Sequence, residues 1–352
     1  MSSDDARPGL PIHSAAASRR IAQAGSHPYE CGMVRFLRYL ALAFVAVGIA
    51  SGYAWWNYDG IVAAILHPQT SAASTSDDSF SLVTADGHHF ALSELDAAIA
   101  SFPAANVQQK PLVLYVHGFG PEPDGDFGLY TMGELAKGAG ADVIMFRWPS
   151  WISVTEFPVL NAKAASERLI PLLDQIADRQ APGGILAGRP LVIVAHSLAG
   201  EVFRHIGEAD TALPKGLAAR ILFAVPETGL PGHRAWMEKL TFADEIFVFI
   251  NKDDPALQVA TTMFGEARLG RSLENLDGSA EPLAGNAAYI VLDPESWRHY
   301  FFVSGQRNEA IDEVFGEVLR RGGAALSNRY LHREPTGNVY TVTGPGTERP
   351  EG

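Results

Sequence analysis

The sequence predicts an α/β domain in which helices cover both faces of a mostly parallel β-sheet. Short uninterrupted apolar runs, such as 111–116 and 190–196, are typical of strands that are buried on both faces. Segments with apolar residues at helical spacing lie between these runs. Strands that alternate with helices favour parallel pairing through right-handed crossover connections.

The predicted elements follow one another over residues 79–330. The stretch FSLVTADGHHFAL predicts a hairpin, because two apolar segments flank an Asp-Gly pair. Strands are predicted at 111–116, 141–148, 190–196, 219–226, 244–251 and 287–293. Helices are predicted at 127–140, at 161–179, directly after residue 196 and at about 307–321. Residues 331–352 are rich in Gly, Pro and Thr, which predicts a flexible C-terminal tail.

The composition excludes several classes of protein. The chain has 352 residues and a net charge of −13, whereas a nucleic-acid-binding protein needs a basic face. The one cysteine, Cys31, permits neither an intramolecular disulfide nor a cysteine zinc site or thiol nucleophile. No H-x-H or H-E-x-x-H pattern is present, so we expect no metal and no cofactor.

The N-terminal region contains a candidate membrane anchor. Residues 39–58 carry no charge and, at about 1.5 Å per residue, can just span a hydrocarbon core of roughly 30 Å. Arginines flank the first end of this stretch and tryptophans the second, which predicts a cytoplasmic N-terminus. We therefore expect a signal anchor over 35–58 and a linker over 59–78, with the domain on the extracytoplasmic side.

Two alternatives concern this region. A cleavable signal peptide is the alternative to an anchor, although no clean A-x-A site follows the apolar stretch. Residues 1–34 show no apolar periodicity and are expected to be disordered. Because Met33 opens a complete signal-anchor start, we predict that translation begins at Met33 rather than at Met1.

Functional groups in such a sheet gather beyond the carboxyl ends of the strands. After 111–116 comes His-Gly-Phe-Gly, in which Gly118 allows a tight turn and the Phe119 N–H becomes available to an oxyanion. An ordinary turn would have the same residues. Nearby aromatic residues, among them Trp148 and Trp151, fit either an acyl pocket or ordinary packing.

The strand at 190–196 runs directly into a helix through Ser197. Such a turn exposes the serine side chain, and it requires small residues two positions before and after. Ala195 and Ala199 meet this steric requirement in the stretch A-H-S-L-A. The helix N-terminus also brings the Leu198 N–H close to the serine oxygen. Ser197 is thus a candidate nucleophile, and a simple helix N-cap is the alternative.

A nucleophilic serine needs a base, and the base needs an anionic partner. Asp253 and Asp254 follow the strand at 244–251, and His299 follows the last predicted strand. Glu227, just past another strand, is a third candidate acid.

These motifs resemble the α/β-hydrolase superfamily, and more closely a family of uncharacterised bacterial esterase/lipase-like serine hydrolases. The matching stretches are LYVHGF (114–119), FRWPS (146–150), AHSLAG (195–200), DPAL (254–257) and HYFF (299–302). The resemblance spans about 111–320 and implies an α/β-hydrolase fold with Ser197 as nucleophile, Asp254 as acid and His299 as base. The Asp-x-Ala-Leu match favours Asp254 over Asp253.

The expected activity is hydrolysis of a small-molecule or lipid carboxylic ester through an acyl-enzyme. The resemblance together with the anchor over 35–58 places the protein in a bacterial inner membrane, with its catalytic domain in the periplasm. An amidase or peptidase with the same triad is one alternative. A non-catalytic α/β-hydrolase domain that binds a protein at the envelope is another. The sequence leaves the identity of any protein partner open.

Overall fold

The computed structural model describes residues 79–103, 110–120, 122–151, 159–209, 211–292, 299–303, 308–335 and 337–344. They belong to one compact unit, Asp59–Gly352. The predicted disordered segment 1–34, the anchor 35–58 and the linker 59–78 lie outside the described residues. No helix in the described ranges has both the length and the apolar character needed to cross a membrane.

The described strands form a single sheet of ten strands. They are β1 Ser81–Thr84, β2 His89–Phe90, β3 Leu112–Val116, β4 Asp142–Arg147, β5 Leu191–His196, β6 Ala218–Ala224, β7 Ala243–Ile250, β8 Ala287–Val291, β9 Leu331–Arg333 and β10 Val339–Val342. Their order across the sheet is β2-β1-β4-β3-β5-β6-β7-β8-β10-β9. Every pairing from β4 to β10 is parallel, which confirms the predicted mostly parallel sheet.

The register of the parallel strands brings their carboxyl ends to one edge of the sheet. Val116 of β3 pairs with Ala195 of β5, and His196 pairs with Ala224 of β6. Ala224 in turn pairs with Phe249 of β7. The loops that follow β3, β5, β6 and β7 therefore begin side by side, as a site built from strand ends requires.

Helices cover both faces of this sheet. They are α1 Leu95–Ala100, α2 Asp126–Ala139, α3 Val159–Gln180, α4 Ala199–Glu208, α5 His233–Met237, α6 Pro255–Phe264 and α7 Glu309–Arg321. Because strand residues alternate, Leu112 and Leu114 join a core with α3 and α4, whereas Val113 and Tyr115 join a second core with α2 and α7. This arrangement explains why the strands are continuously apolar in sequence.

The ends of the domain differ in part from the sequence prediction. The hairpin at 81–90 forms as predicted, with Leu82 opposite Phe90. The expectation of a flexible tail over 331–352 is wrong for its first part, because β9 and β10 extend the sheet beyond β8. Val339 and Val342 of the four-residue β10 are buried, and the surrounding Gly and Pro residues obscure this short apolar alternation in the sequence.

Candidate active site

Ser197 lies in a sharp turn between β5 and α4. Its φ is 53°, in the left-handed region, which is costly for a residue with a Cβ. The turn is held by the backbone: Ser197 N–H donates to Ala224 O at 3.0 Å, and Ser197 O accepts from both Gly200 N and Glu227 N at 2.9 Å. The strained backbone that the sequence predicts for a strand-to-helix turn is therefore present. The expectation that the turn exposes the serine side chain is wrong for this structure, because Ser197 is 3% exposed and the loop at Gly118 packs against it.

The loop after β3 comes close to this turn. A Cβ added to Gly118 would lie 2.8 Å from Ser197 Cβ and 3.0 Å from His196 O, so only glycine fits at this position. Phe119, the next residue, packs its ring 4.6 Å from that of Trp151. The predicted oxyanion residues Phe119 and Leu198 occupy the chain positions directly after Gly118 and Ser197.

His117 fixes the conformation of the same loop. It is buried, its Nδ1 donates to Gly118 O at 2.8 Å, and its Nε2 accepts from the Trp148 N–H at 3.1 Å. Trp148 Nε1 also donates to His117 O at 2.9 Å. Burial lowers the pKa of His117 to about 4, so the ring is neutral and keeps this tautomer at neutral pH. Trp148 is therefore a buried residue that stabilises the loop after β3, and it does not line an open acyl pocket.

Asp254 has two roles at the start of α6. Its side chain is fully buried, and Oδ1 accepts from Ala256 N at 2.9 Å and Leu257 N at 3.1 Å as the helix N-cap. Its other oxygen, Oδ2, lies 2.7 Å from His299 Nδ1. Asp253 beside it is exposed to solvent. The structure therefore brings His299 to Asp254, the carboxylate favoured by the sequence.

His299 is placed against the end of β5 by aromatic packing. Its ring centroid lies 4.7 Å from that of His196, and His196 Nε2 lies 3.3 Å from His299 O. Tyr300 and Phe302 pack on the other sides of His196, at 4.4 Å and 5.2 Å. Burial, followed by the nearby His299, lowers the pKa of His196 well below its usual value. His196 is consequently uncharged, and its ring contacts hold the segment 299–302 against the end of β5.

The third candidate acid, Glu227, lies beside the serine turn, where its N–H donates to Ser197 O. Its side chain lines a cavity of about 290 Å³ together with Leu198, Glu201 and Arg268. Burial raises the pKa of Glu227 to about 8; Arg268 opposes this shift, and Glu201 and Asp254 add to it. This side chain therefore carries a proton at neutral pH and belongs to a polar cavity beside the serine turn.

The sequence pattern does not predict the structural roles of several residues in this region. His117 and His196 each precede a predicted site residue, and only their burial shows that they position the loops. Arg268 follows α6 in a loop with no recognisable motif, and its buried guanidinium is apparent only in the fold. Val225, in the left-handed region at φ 46°, is likewise indicated by no residue pattern.

Comparisons with known proteins agree with the observed fold. The family model described as alpha/beta hydrolase of unknown function (DUF900) matches residues 97–288, a range that includes Ser197 and Asp254 and ends before His299. No curated protein sequence matches the chain significantly.

Several solved structures are similar to this chain. Carboxyl esterase 2 from the mycorrhizal fungus Tuber melanosporum is 17% identical, over 62% of this chain and 80% of that chain, with a TM-score of 0.35. The ester hydrolase EH1AB1 from the metagenome of Lake Arreo is 13% identical, over 80% and 95%, with a TM-score of 0.34. A hormone-sensitive lipase from a metagenome library is 15% identical, over 77% and 98%, with a TM-score of 0.33.

Proposed function

Because this chain belongs to the family of alpha/beta hydrolases of unknown function that matches residues 97–288, we propose that it is a serine hydrolase acting on carboxylic esters. The observation that carries the proposal is the 2.7 Å contact between His299 Nδ1 and Asp254 Oδ2, at the sheet edge where Ser197 occupies a strained turn. A carboxylate on Nδ1 fixes the histidine tautomer that has Nε2 free to take a proton.

The proposed reaction has two halves. His299 Nε2 takes the proton of Ser197 while Oγ attacks the ester carbonyl carbon, and the resulting oxyanion is held by the N–H groups of Phe119 and Leu198. The tetrahedral intermediate collapses, and the alcohol leaves with the proton that His299 returns. Water then attacks the acyl-enzyme with His299 as base, which releases the acid and restores Ser197.

The decisive experiment uses a fluorophosphonate probe and a p-nitrophenyl ester. The wild-type chain is expected to be labelled at Ser197, and Ser197→Ala is expected to lose both labelling and at least about 10³-fold in kcat. Ser279→Ala, on an exposed loop, is the matched control and should behave as wild type. Full activity in Ser197→Ala would contradict the proposal.

The same probe, together with matched substrates, distinguishes two alternative functions. An amidase or peptidase would also be labelled, but it would cleave anilides or peptides in preference to matched esters. A non-catalytic binding domain would not be labelled at Ser197 in the folded chain. The neutral, buried state of His117 and the close fit of Gly118 favour a maintained oxyanion loop and hence the catalytic alternative.

We also propose that residues 39–58 anchor the protein in the bacterial inner membrane, with the domain in the periplasm. The uncharged stretch supports this proposal. In the full chain, Val45→Arg together with Val47→Arg should release the protein from carbonate-washed membranes, since each arginine costs about 2.5–3.5 kcal/mol at a helix centre. The matched Val45→Leu, Val47→Leu variant should stay in the membrane fraction, and equal behaviour of both variants would contradict an anchor.

A further inference from the structure

A polar cavity lies directly beside the serine turn. It is lined by Leu198 and Glu201 of the turn and α4, by Glu227 after β6, and by Glu266 and Arg268 after α6. Glu227 also ties the cavity to the turn, because its N–H donates to Ser197 O at 2.9 Å. At about 290 Å³ the cavity is large enough for a short acyl chain or a small leaving group.

Arg268 presents unused hydrogen-bond donors in this cavity. The residue is 3% exposed, and neither Nε nor Nη2 has a hydrogen-bond partner among the described residues. Nη2 does lie 3.2 Å from Glu266 Oε1, as an ion pair without hydrogen-bond geometry, and Glu266 is itself half-exposed. Nε–H and Nη2–H form the side edge of a guanidinium, which matches the two oxygens of a carboxylate.

Glu227 offers a further unused polar group. It is 4% exposed, and its Oε1 has no hydrogen-bond partner in the described part of the chain. Because burial raises its pKa to about 8, the side chain is protonated at neutral pH and can donate a hydrogen bond. Leaving such buried groups unbonded is costly, so an acceptor-rich ligand would gain from both of them.

The charges around the cavity favour a ligand with a single negative charge. Arg204 pairs with Glu201 at 2.7 Å, and Arg268 has only the half-exposed Glu266 as its ion-pair partner among the described residues. With Glu227 protonated, the lining is close to neutral. A dianion such as phosphate would meet the Glu201 and Glu266 carboxylates, whereas a carboxylate adds one charge opposite the Arg268 donors.

We propose that this cavity binds a carboxylate group of the substrate, with Arg268 as its anchor and Glu227 as an additional donor. The substrate is then an ester that carries a free carboxylate away from the scissile bond, an inference that rests on the proposed ester hydrolysis at Ser197. Arg268 acts in substrate recognition, and the proton transfers stay with Ser197 and His299.

The first test measures binding without turnover. The full-length Ser197→Ala chain is titrated calorimetrically with pentanoate, which carries one negative charge at neutral pH, and saturable binding is expected. Pentanamide, which has nearly the same shape without charge, and inorganic phosphate should each bind at least about tenfold more weakly. This comparison needs no change at Arg268 and therefore does not depend on the folding of a variant.

The second test places the binding site at Arg268. Arg268→Gln should weaken pentanoate binding by about tenfold or more, and Arg268→Lys, which keeps the charge but not the planar donor pair, should have an intermediate affinity. Arg234→Gln is the matched control, because it removes the same charge from an exposed site on α5. Circular dichroism of each variant checks that the fold is kept.

The third test concerns selectivity in hydrolysis by the wild-type chain. Two pairs are compared: the p-nitrophenyl half-ester of glutaric acid with p-nitrophenyl pentanoate, and 4-acetoxybutyrate with butyl acetate. In at least one pair the carboxylated ester should have a kcat/KM about tenfold higher, and Arg268→Gln should abolish that preference.

The outcomes separate this inference from the proposed function. Equal binding of pentanoate and pentanamide, tighter binding of phosphate, or pentanoate binding that Arg268→Gln leaves unchanged would each overturn the carboxylate site. Hydrolysis of neutral esters with no preference in either pair would overturn it while leaving the serine hydrolase in place. Pentanoate binding by a chain that neither reacts with the fluorophosphonate nor hydrolyses any ester would support the site and overturn the proposed function.

Discussion

Asp254 Oδ2 lies 2.7 Å from His299 Nδ1, while the other oxygen of the same carboxylate caps α6 through Ala256 N and Leu257 N. One buried side chain thus orients both a helix and the histidine that we propose as the base. The two roles depend on different atoms and different chemistry, so they can be separated by substitution.

Asp254→Asn should therefore lose activity with little loss of stability. Asparagine caps helices about as well as aspartate, but its amide cannot hold His299 in the required tautomer or stabilise its cation. We expect a decrease in kcat of about 10³–10⁴-fold and a free energy of unfolding within about 1 kcal/mol of wild type. Ester hydrolysis and urea denaturation measure the two effects. Asp253→Asn is the matched control, and a greater loss of activity there would show that Asp253 is the acid.

Gly118→Ala should damage the turn of the oxyanion loop. The new methyl group would lie 2.8 Å from Ser197 Cβ, closer than real Cβ contacts allow, and 3.0 Å from His196 O, which is also tight. The loop must shift away from the serine, and misplacing one oxyanion donor costs about 10²–10³-fold in kcat. Gly120→Ala is the control, since a Cβ there meets nothing within 4 Å. Comparable kinetics for the two variants would show that the close approach at Gly118 is unimportant for catalysis.

The left-handed backbone of Ser197 should be visible in stability. Ser197→Gly removes the Cβ that makes φ 53° costly, whereas Ser197→Ala keeps it, and both remove the hydroxyl. Ser197→Gly should thus be more stable than Ser197→Ala by about 1 kcal/mol in urea denaturation. At Ser166, in the middle of α3, the order should be reversed, because glycine destabilises a helix interior. Alanine being the more stable at both positions would argue against strain at Ser197.

Glu227 should make the protein less stable as the pH rises. Its pKa is raised from 4.5 to about 8 by burial, against the effect of Arg268 and with a contribution from Glu201 and Asp254. Between these two pH values the folded chain holds a proton that the unfolded chain has released. The free energy of unfolding therefore decreases as the pH rises from 4.5 towards 8. By pH 7 the loss amounts to about 2–4 kcal/mol.

Glu227→Gln removes this titration and tests it. Relative to wild type, its free energy of unfolding should rise by about 2–4 kcal/mol between about pH 4.5 and pH 7, measured by urea denaturation at each pH. Glu274→Gln, at an exposed position, serves as the reference for pH effects elsewhere in the chain. Parallel pH profiles for wild type and Glu227→Gln would show that Glu227 titrates normally in the folded chain.

Much of the sheet can be predicted from the sequence because its strands are buried on both faces. Continuous apolar runs as short as 111–116 and 190–196, bounded by turn residues and separated by helical segments, are typical of central strands in a parallel sheet. The two strands after residue 330 are not predictable in this way, since three or four residues between glycines and prolines carry almost no periodicity.

Residues of the candidate site are predictable where they lie in the loop that follows a strand. Ser197 directly follows β5, whereas Asp254 lies four residues beyond β7 and His299 eight residues beyond β8. Parallel register brings the starts of such loops together. Arg268 lies in a loop beyond α6, and only the packing of that loop against the turn after β6 brings it to Glu227. The same packing places Gly270, where a Cβ would lie 2.3 Å from Val225 C, and no local pattern in the sequence encodes such long-range fits.

Glu227 is joined to Ser197 through its backbone N–H, and its side chain takes no part in that bond. Position 227 could therefore exchange its side chain during divergence without disturbing the geometry of the serine turn. A change at position 254 would instead disturb the start of α6 and the orientation of His299. Related hydrolases could acquire different substrate preferences by substitution at 227 and 268 while inheriting an unchanged reaction centre. The same separation offers a route to redesign: a library confined to these two side chains would vary selectivity while leaving the hydrolytic machinery intact.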